Sequence, residues 1–361
     1  MDGMNEYRVT AGEEDGISGM GGAGMPERNE ADEIKAARKH FSRLGGMYIL
    51  GTIIIFAVQL IPTTLLQLVK PEWLENGNIS LMVSVLPMYI IGMPVLILLV
   101  RTIPKEEVER HSMRAGSFVI AAIMCFAVVY ITNFAGNLIT ALIGTLKGST
   151  VQNQVLNVTQ SVSMWMIVLY MVICAPVMEE FVFRKLIVDR TVRYGQGAAV
   201  VMSGLMFGLF HGNLNQFVYA FTLGMFLAYL YVKTGNIKIT IALHMLINFM
   251  GGVVSSGLMR MLDLDAYMQA MTGGDMASMM DYIQANLAGI MAYAVFVVFV
   301  AGMMIAGGVL LIVNLVKRKF VLERGSVVIP KGKRFSTMIG NAGMLLYSLF
   351  WIVMIVVQLF I

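Results

Sequence analysis

Two adjacent glutamates, Glu179 and Glu180, lie inside an apolar stretch near the middle of this chain. Adjacent carboxylates among apolar side chains are costly unless a partner is present. Arg184 follows Glu180 by one helical turn on the same face, so these two side chains can pair. Glu179 projects about 100° away and is left without that partner, which suits a general base. Alternatively, both glutamates lie at a helix end beside the headgroups, with Arg184 snorkelling toward water.

The second candidate is His211, which Phe207 precedes by one helical turn. At that spacing the phenyl ring can pack against the imidazole. A histidine in a membrane helix can act as a general base, but it can also serve as a hydrogen-bond partner between helices. The residue alone does not separate these two interpretations.

The third candidate is the pair His244 and Asn248, whose spacing of four places both side chains on one helical face. Such a pair can hold two helices together. It can equally present one ionisable group and one neutral hydrogen-bond donor to a substrate. The other two histidines, His40 and His111, lie in polar segments, so only His211 and His244 are expected inside the membrane.

Three apolar segments must bring these residues together, so the depth of each residue along its segment decides whether they can meet. Counted from the basic ends of the segments at ~1.5 Å per residue, Glu179 lies ~16 Å deep and His211 ~21 Å deep. His244 lies ~9 Å deep and Asn248 ~15 Å deep by the same rise. All four fall between one membrane face and just past the midplane. We predict one shared polar cavity that opens toward the cytoplasm.

The composition is that of a membrane protein. Hydrophobic residues make up 58% of the chain and charged residues only 13%, about half the charged share of a soluble domain. Nine apolar segments approach the ~20 residues that span a hydrocarbon core, although the fifth is short. We therefore predict an all-α, polytopic transmembrane helix bundle with eight or nine spans. The predicted spans are 45–69, 80–100, 114–144, 162–189, 197–213, 215–232, 239–257, 286–316 and 340–361.

The basic residues predict the orientation of this bundle. Of the 26 Lys and Arg residues, only Lys70, Lys147 and Arg260 lie in loops that are outside if the N-terminus is cytoplasmic. The basic clusters flank the spans, which argues for an integral membrane protein in a lipid bilayer and against a nucleic-acid partner. We predict a cytoplasmic, largely disordered tail over 1–44 and a transmembrane domain over 45–361. The loop 258–285 is either an interfacial helix or disordered.

Taken in order, Glu-Glu-x-x-x-Arg, Phe-x-x-x-His and His-x-x-x-Asn resemble the motifs of the CAAX protease and bacteriocin-processing family. This family of intramembrane proteases is also called the Abi or type II CAAX prenyl endopeptidase family. The resemblance covers residues 162–257, which we take as the catalytic core. It implies a peptidase whose site is buried in the membrane and reached from the cytoplasm.

The resemblance also implies a role for each motif residue. Glu179 would activate the attacking water together with His211. His244 and Asn248 would stabilise the oxyanion, a role for preorganised donors. These four side chains would be supported by the remaining residues of the predicted site, Glu180, Arg184 and Phe207.

The resemblance leaves the type of peptidase open. Two histidines and a glutamate suit Zn²⁺ with one water-filled position. The His-Glu-x-x-His spacing of zinc proteases is absent, so Glu179, His211 and His244 would have to bind zinc from three helices. A metal-free glutamate peptidase fits the same residues, so the sequence is compatible with a metalloendopeptidase and with a glutamate peptidase.

From these observations we expect an intramembrane endopeptidase that cuts membrane-associated peptides or proteins near the cytoplasmic face. The bacterial relatives it resembles point to a bacterial plasma membrane. One alternative is a non-catalytic scaffold or bacteriocin-immunity protein, which would keep its function in Glu179→Ala. The other is a proton-coupled transporter in which Glu179 and His211 relay protons. A transporter would more naturally show repeated halves, and the sequence has no such symmetry.

Overall fold

The computed structural model describes residues 30–360, and this part of the chain is an α-helical bundle. It is 83% helical, with thirteen helices and no strand among the described residues. The predicted all-α, polytopic fold is therefore confirmed. In chain order the helices are α1 Glu30–Val69, α2 Gly77–Arg101, α3 Ala115–Lys147, α4 Gln154–Ser161, α5 Met164–Tyr194, α6 Gln196–Phe210, α7 Leu214–Thr234, α8 Ile237–Met259, α9 Leu264–Gly273, α10 Met276–Ala285, α11 Leu287–Val316, α12 Lys331–Met338 and α13 Ala342–Gln358.

Among the described residues, seven helices are long and apolar enough to cross a membrane: α1, α2, α3, α5, α7, α8 and α11. The pair α12 and α13, bent by 68°, makes an eighth span if it crosses as one unit. The fifth predicted span is α6, whose 15 residues reach only ~22 Å at ~1.5 Å per residue. That is shorter than a ~30 Å hydrocarbon core, so α6 ends within the membrane.

The first helix begins before the predicted span. Helix α1 starts at Glu30, so residues 30–44 are helical rather than part of a disordered tail. Residues 1–29 lie outside the described residues, and the prediction for them stays a prediction. In the loop 258–285, helices α9 and α10 pack against each other through Tyr267 and Tyr282, with ring centroids 5.5 Å apart. The loop was predicted to be either helical or disordered, and in the structure it is helical.

The two ends of the bundle differ in charge. One end, here called the basic end, holds the loop 102–114, which bonds to the carbonyl groups of Asp189 and Thr234. The same end holds the ion pair between Lys233 and Glu323. The opposite end, here called the distal end, holds the loops that follow α1, α3 and α8. The three Lys and Arg residues of those loops are Lys70, Lys147 and Arg260.

Helices α6 and α7 form a tight hairpin that sets the position of His211. A Cβ atom on Gly204 would lie 2.8 Å from the carbonyl oxygen of Phe221, and one on Gly208 would lie 2.9 Å from the Phe221 Cβ atom. Small residues let membrane helices approach this closely. Gly212 then turns the chain with a φ of +63°, a value that favours glycine. His211 therefore lies at the turn, within the membrane.

Candidate active site

Helix α5 carries the two glutamates at a change in its winding. A wide-turn π segment covers Ile167–Cys174, an α-helical turn covers Ala175–Glu179, and a second π segment begins at Glu180. Pro176 lies in the first turn of the α-helical part, and its missing N–H removes one bond from the regular ladder. Single π-turns in helices occur often at functional sites. In this helix the change in winding falls between the two carboxylates.

Glu180 and Arg184 form a fully buried ion pair behind Glu179. The Arg184 Nε atom lies 3.1 Å from Glu180 Oε2, and neither side chain is exposed. The geometry of these atoms does not meet the criteria of a hydrogen bond, so the contact is an ion pair without a hydrogen bond. The predicted pairing of Glu180 with Arg184 is present, and burial excludes an Arg184 that snorkels to water.

His244 lies between the two carboxylates. Its Nδ1 atom is 2.8 Å from Glu180 Oε1, and its Nε2 atom is 3.7 Å from Glu179 Oε2. An ionised carboxylate only accepts hydrogen bonds, so the shorter contact assigns a proton to Nδ1. When the ring is doubly protonated, Nε2 is also a donor, and the charge of His244 balances the second carboxylate.

The phenyl ring of Phe207 supports both histidines and the arginine. The Arg184 guanidinium carbon lies 4.1 Å from its centroid, a cation–π contact on the ring face. The His211 and His244 rings pack edge-on, with centroids 4.8 Å and 5.8 Å from that of Phe207. The predicted contact between Phe207 and His211 is confirmed, and the same ring also orients His244.

His211 has a tautomer fixed by the end of α6. Its Nδ1 atom lies 2.9 Å from the carbonyl oxygen of Phe207. A carbonyl only accepts, so Nδ1 carries the proton and the neutral ring keeps a lone pair on Nε2. The last carbonyls of a helix have no partner within the helix, which leaves this one available. His211 can thus accept a proton at Nε2, and the Nε2 atom of His244 becomes a donor when that ring is doubly protonated.

Asn248 lies one turn beyond His244 and joins α8 to α5. Its Nδ2 atom donates to the carbonyl oxygen of Met171 at 2.8 Å. An amide nitrogen has two hydrogens, so one remains free. A wide-turn π segment, Phe249–Val254, begins at the next residue.

One cavity of 450 Å³ is lined by Glu179, Phe207, His211, His244 and Asn248. The structure therefore brings together the four predicted catalytic residues, with Glu180 and Arg184 buried beside them. Their catalytic roles stay predictions, because geometry alone does not test them. A second cavity, of 320 Å³, also touches His211 and is lined by Phe56 and Trp351.

The cavity runs from Glu179 toward the distal end of the bundle. Along α8 it is lined from His244 to Met259, and beyond that by Asn153 and Leu156 of the segment after α3. Toward the basic end, every residue of α5 between 182 and 191 except Lys185 is buried. We call the part between Glu179 and the distal end the hollow half, and the part between Glu180 and the basic end the packed half.

The direction of the cavity bears on one sequence prediction. The cavity extends from Glu179 to the end of the bundle opposite the basic residues, while the cytoplasmic N-terminus and a cavity that opens toward the cytoplasm stay predictions. The depth estimate counted every residue from the basic end, so it gave no information on which side of the site is filled.

The structure bears on the predicted zinc site in two ways. Among residues 30–360, no three His, Cys, Asp or Glu side chains are grouped closely enough to hold a metal ion. Glu180 engages the Nδ1 atom of His244 and the Phe207 carbonyl engages that of His211, which leaves the Nε2 atom of each ring available to another group. We derive no step through a metal, and zinc at Glu179, His211 and His244 stays a prediction.

Sequence reasoning missed the amide side chains of the hollow half. Asn133, Asn137, Asn153, Asn215 and Gln216 all line the cavity. A signal was present, because an amide inside an apolar segment needs a hydrogen-bond partner. These side chains are neutral, so a search for ionisable groups inside the membrane does not find them.

Fold and site together define a polytopic α-helical membrane protein with two carboxylates and two imidazoles in its middle. Residues 161–250 match the family described as type II CAAX prenyl endopeptidase Rce1-like. The chain is also 28% identical over 166 residues to the Bacillus subtilis (strain 168) protein named "Putative membrane peptidase YdiL". That alignment covers 44% of this chain and 66% of the relative, just under two thirds of its length. No solved structure matches the chain.

The matched segment contains every residue of the predicted site, from Glu179 to Asn248. Residues 161–250 are therefore similar to the type II CAAX prenyl endopeptidases of the CAAX protease and bacteriocin-processing family. The resemblance stated from the three motifs is thereby confirmed.

Proposed function

We propose that this protein is an intramembrane endopeptidase that hydrolyses peptide bonds of membrane-associated peptides or proteins. The observation that carries the proposal is the convergence of Glu179, His211, His244 and Asn248 on one cavity from three helices. The match of residues 161–250 to a protease family and the name of the Bacillus subtilis relative support it at the level of a membrane protease.

In this proposal, a water molecule in the cavity gives a proton to Glu179 as its oxygen attacks the carbonyl carbon. His211, with its lone pair on Nε2, orients that water. The oxyanion accepts hydrogen bonds from Nε2–H of the doubly protonated His244 ring and from the free amide hydrogen of Asn248, donors of the kind that stabilise tetrahedral intermediates. Glu179 then passes its proton to the leaving amine as the C–N bond breaks.

A cleavage assay with the purified, detergent-solubilised protein tests the proposal. A library of membrane-anchored peptides is incubated with the wild type, with Glu179→Gln and with Glu107→Gln. Glu107 has a side chain 60% exposed at the basic end, so it is a matched control for the same change. We expect cleavage by the wild type and the control and none by Glu179→Gln.

Retained turnover in Glu179→Gln would refute Glu179 as the base. If no protein cuts any peptide while Glu179→Gln keeps the cellular phenotype, the scaffold or immunity function takes the place of the protease. Repeating the assay with a chelator separates the two types of peptidase. Lost cleavage that returns on adding Zn²⁺ would assign a metalloendopeptidase, and unchanged cleavage would assign a glutamate peptidase.

A further inference from the structure

The hollow half is the route by which the reacting carboxylate is connected to the surface. From Glu179 the lining follows Ala175 and Met171 along α5 toward the distal end. It ends among Asn153 and Leu156, and the Leu156 side chain is 41% exposed. The second cavity beside His211 reaches the same end through Gln152 and Gln358.

The packed half offers no comparable route. Ser203 is fully buried and donates to the carbonyl oxygen of Phe183 at 2.8 Å. Tyr231, also fully buried, donates to Asp189 at 3.0 Å. Lys185 closes this region from the basic end with an ion pair of 2.8 Å to Asp189. Ser203, Tyr231, Lys185 and Asp189 are therefore bonded within the packing rather than facing open space.

The distal end is the one that the charge distribution puts outside. Its loops carry three Lys and Arg residues against six acidic ones, whereas the remaining basic residues of the described chain lie toward the basic end. Lys and Arg are enriched in cytoplasmic loops. Access from the distal end is therefore access from the non-cytoplasmic side.

The lining also limits what can enter. Among the described residues of the hollow half, the lining is neutral apart from Glu179, His211 and His244, with carboxamides and hydroxyls along the wall. A peptide must unwind to expose a scissile bond, and inside a membrane its backbone groups then need partners. Carboxamides supply both donors and acceptors. A charged side chain beside the bond would find one acidic partner in this lining, Glu179, which is the proposed base.

We infer that the substrate reaches Glu179 from the non-cytoplasmic side, as an extended peptide segment that is uncharged around the scissile bond. The inference rests on the proposed peptidase activity for the identity of what enters. The direction of access, in contrast, is a property of the bundle itself and can be measured without any cleavage.

The test is side-specific thiol labelling of single-cysteine variants in which Cys125 and Cys174 are replaced by alanine. Ser255→Cys reports on the cavity wall, and its matched control is Ser203→Cys in the packed half. Glu75→Cys marks the exposed distal end, and Glu107→Cys marks the basic end. A charged, membrane-impermeant methanethiosulfonate is added to intact cells and, separately, to inverted membrane vesicles.

In intact cells we expect labelling of Ser255→Cys together with Glu75→Cys. In inverted vesicles we expect labelling of Glu107→Cys alone, and Ser203→Cys stays unlabelled in both preparations. Labelling of Ser255→Cys from the side that labels Glu107→Cys, or from neither side, would overturn the inference. So would labelling of Glu75→Cys from the cytoplasm. These outcomes do not depend on catalysis, so they are separate from failure of the proposed function.

The substrate class is tested by cleavage of paired peptides that carry alanine or lysine next to the scissile bond. Because Glu179 is the single acidic side chain in the described lining and is needed as the base, we expect the lysine peptide to be cut at least about tenfold more slowly. Equal rates for the two peptides would overturn this part of the inference.

Discussion

The two halves of the bundle are built from the same helices but differ in what their polar side chains contact. On α5, the packed half buries every residue between 182 and 191 except Lys185, whereas four residues are buried between 167 and 178. In the packed half, Asp189, Lys185 and Tyr231 satisfy one another. In the hollow half, Glu179 and a set of carboxamides line open space.

The difference separates what polar residues do in this protein. Polar groups that bond to each other hold helices in place, so their loss is expected to lower stability. Polar groups that face the cavity have hydrogen-bonding capacity left for another molecule, so their loss is expected to lower activity. Glu180 and Arg184 lie at the boundary and belong to the first class, because both are fully buried.

The largest effect is expected for Glu179→Gln. Removal of a general base costs about 10²- to 10⁴-fold in turnover, while the amide keeps the size of the side chain. The thermal midpoint of the purified protein should stay close to that of the wild type. The measurement is the single-turnover rate beside a melting curve; a fall in melting temperature with unchanged rate would assign Glu179 to the structural class.

Next comes Arg184→Ala, which leaves Glu180 as a buried charge without its cation. Breaking a buried ion pair costs about 3–5 kcal/mol in free energy of unfolding. Loss of the contact with Phe207 at 4.1 Å adds to this. The stability of the purified protein in a denaturant series measures the change.

A double variant serves as its control. Glu180→Gln with Arg184→Met removes both charges, so it should recover part of the stability that the single change loses. If the double variant loses as much as the two single variants combined, the charges are not coupled in the way their 3.1 Å separation indicates.

Asn248→Ala is expected to lower turnover by about 10²- to 10³-fold, the cost of losing one oxyanion donor. Substrate binding should change little, because the interaction forms in the transition state. The control is Asn314→Ala, since the amide of Asn314 bonds within its own helix to Leu310 at 2.7 Å. Equal effects of the two changes would remove Asn248 from the oxyanion site.

The smallest of these effects is expected for Tyr231→Phe in the packed half. It removes one buried hydrogen bond to Asp189, which is worth about 1–3 kcal/mol in stability when the partner is charged. Turnover at saturating substrate should stay within about twofold of the wild type, because changes distant from a site rarely alter its chemistry. The companion change Tyr219→Phe, in the wall of the hollow half, should alter turnover more than stability.

Much of the site could be predicted because helical spacing fixes which side chains share a face. The pairing of Glu180 with Arg184 and the contact of Phe207 with His211 are both one-turn relations, and both are present. The order of the three motifs also predicted the family whose model matches residues 161–250. These features are local to single helices, and local features survive the packing of the bundle.

The remaining features depend on contacts between helices. His244 of α8 bonds to Glu180 of α5. Asn248, also of α8, donates to the backbone carbonyl of Met171 in α5. Neither relation follows from spacing along one helix. The direction of the cavity depends on which half of the bundle is filled, and no single segment contains that information.

In the proposed reaction, a peptide bond reaches Glu179 through the hollow half. Disulfide capture tests it most directly, with an inactive Glu179→Gln protein that also carries Ser255→Cys, and a peptide that the wild type cleaves. Ser255 lies about 10 Å beyond Asn248 at ~1.5 Å per residue. The peptide cysteine is therefore placed about three residues from the scissile bond, at ~3.3 Å per extended residue. We predict a mixed disulfide with Ser255→Cys and none with Ser203→Cys; capture at Ser203→Cys, or at neither position, would contradict the account.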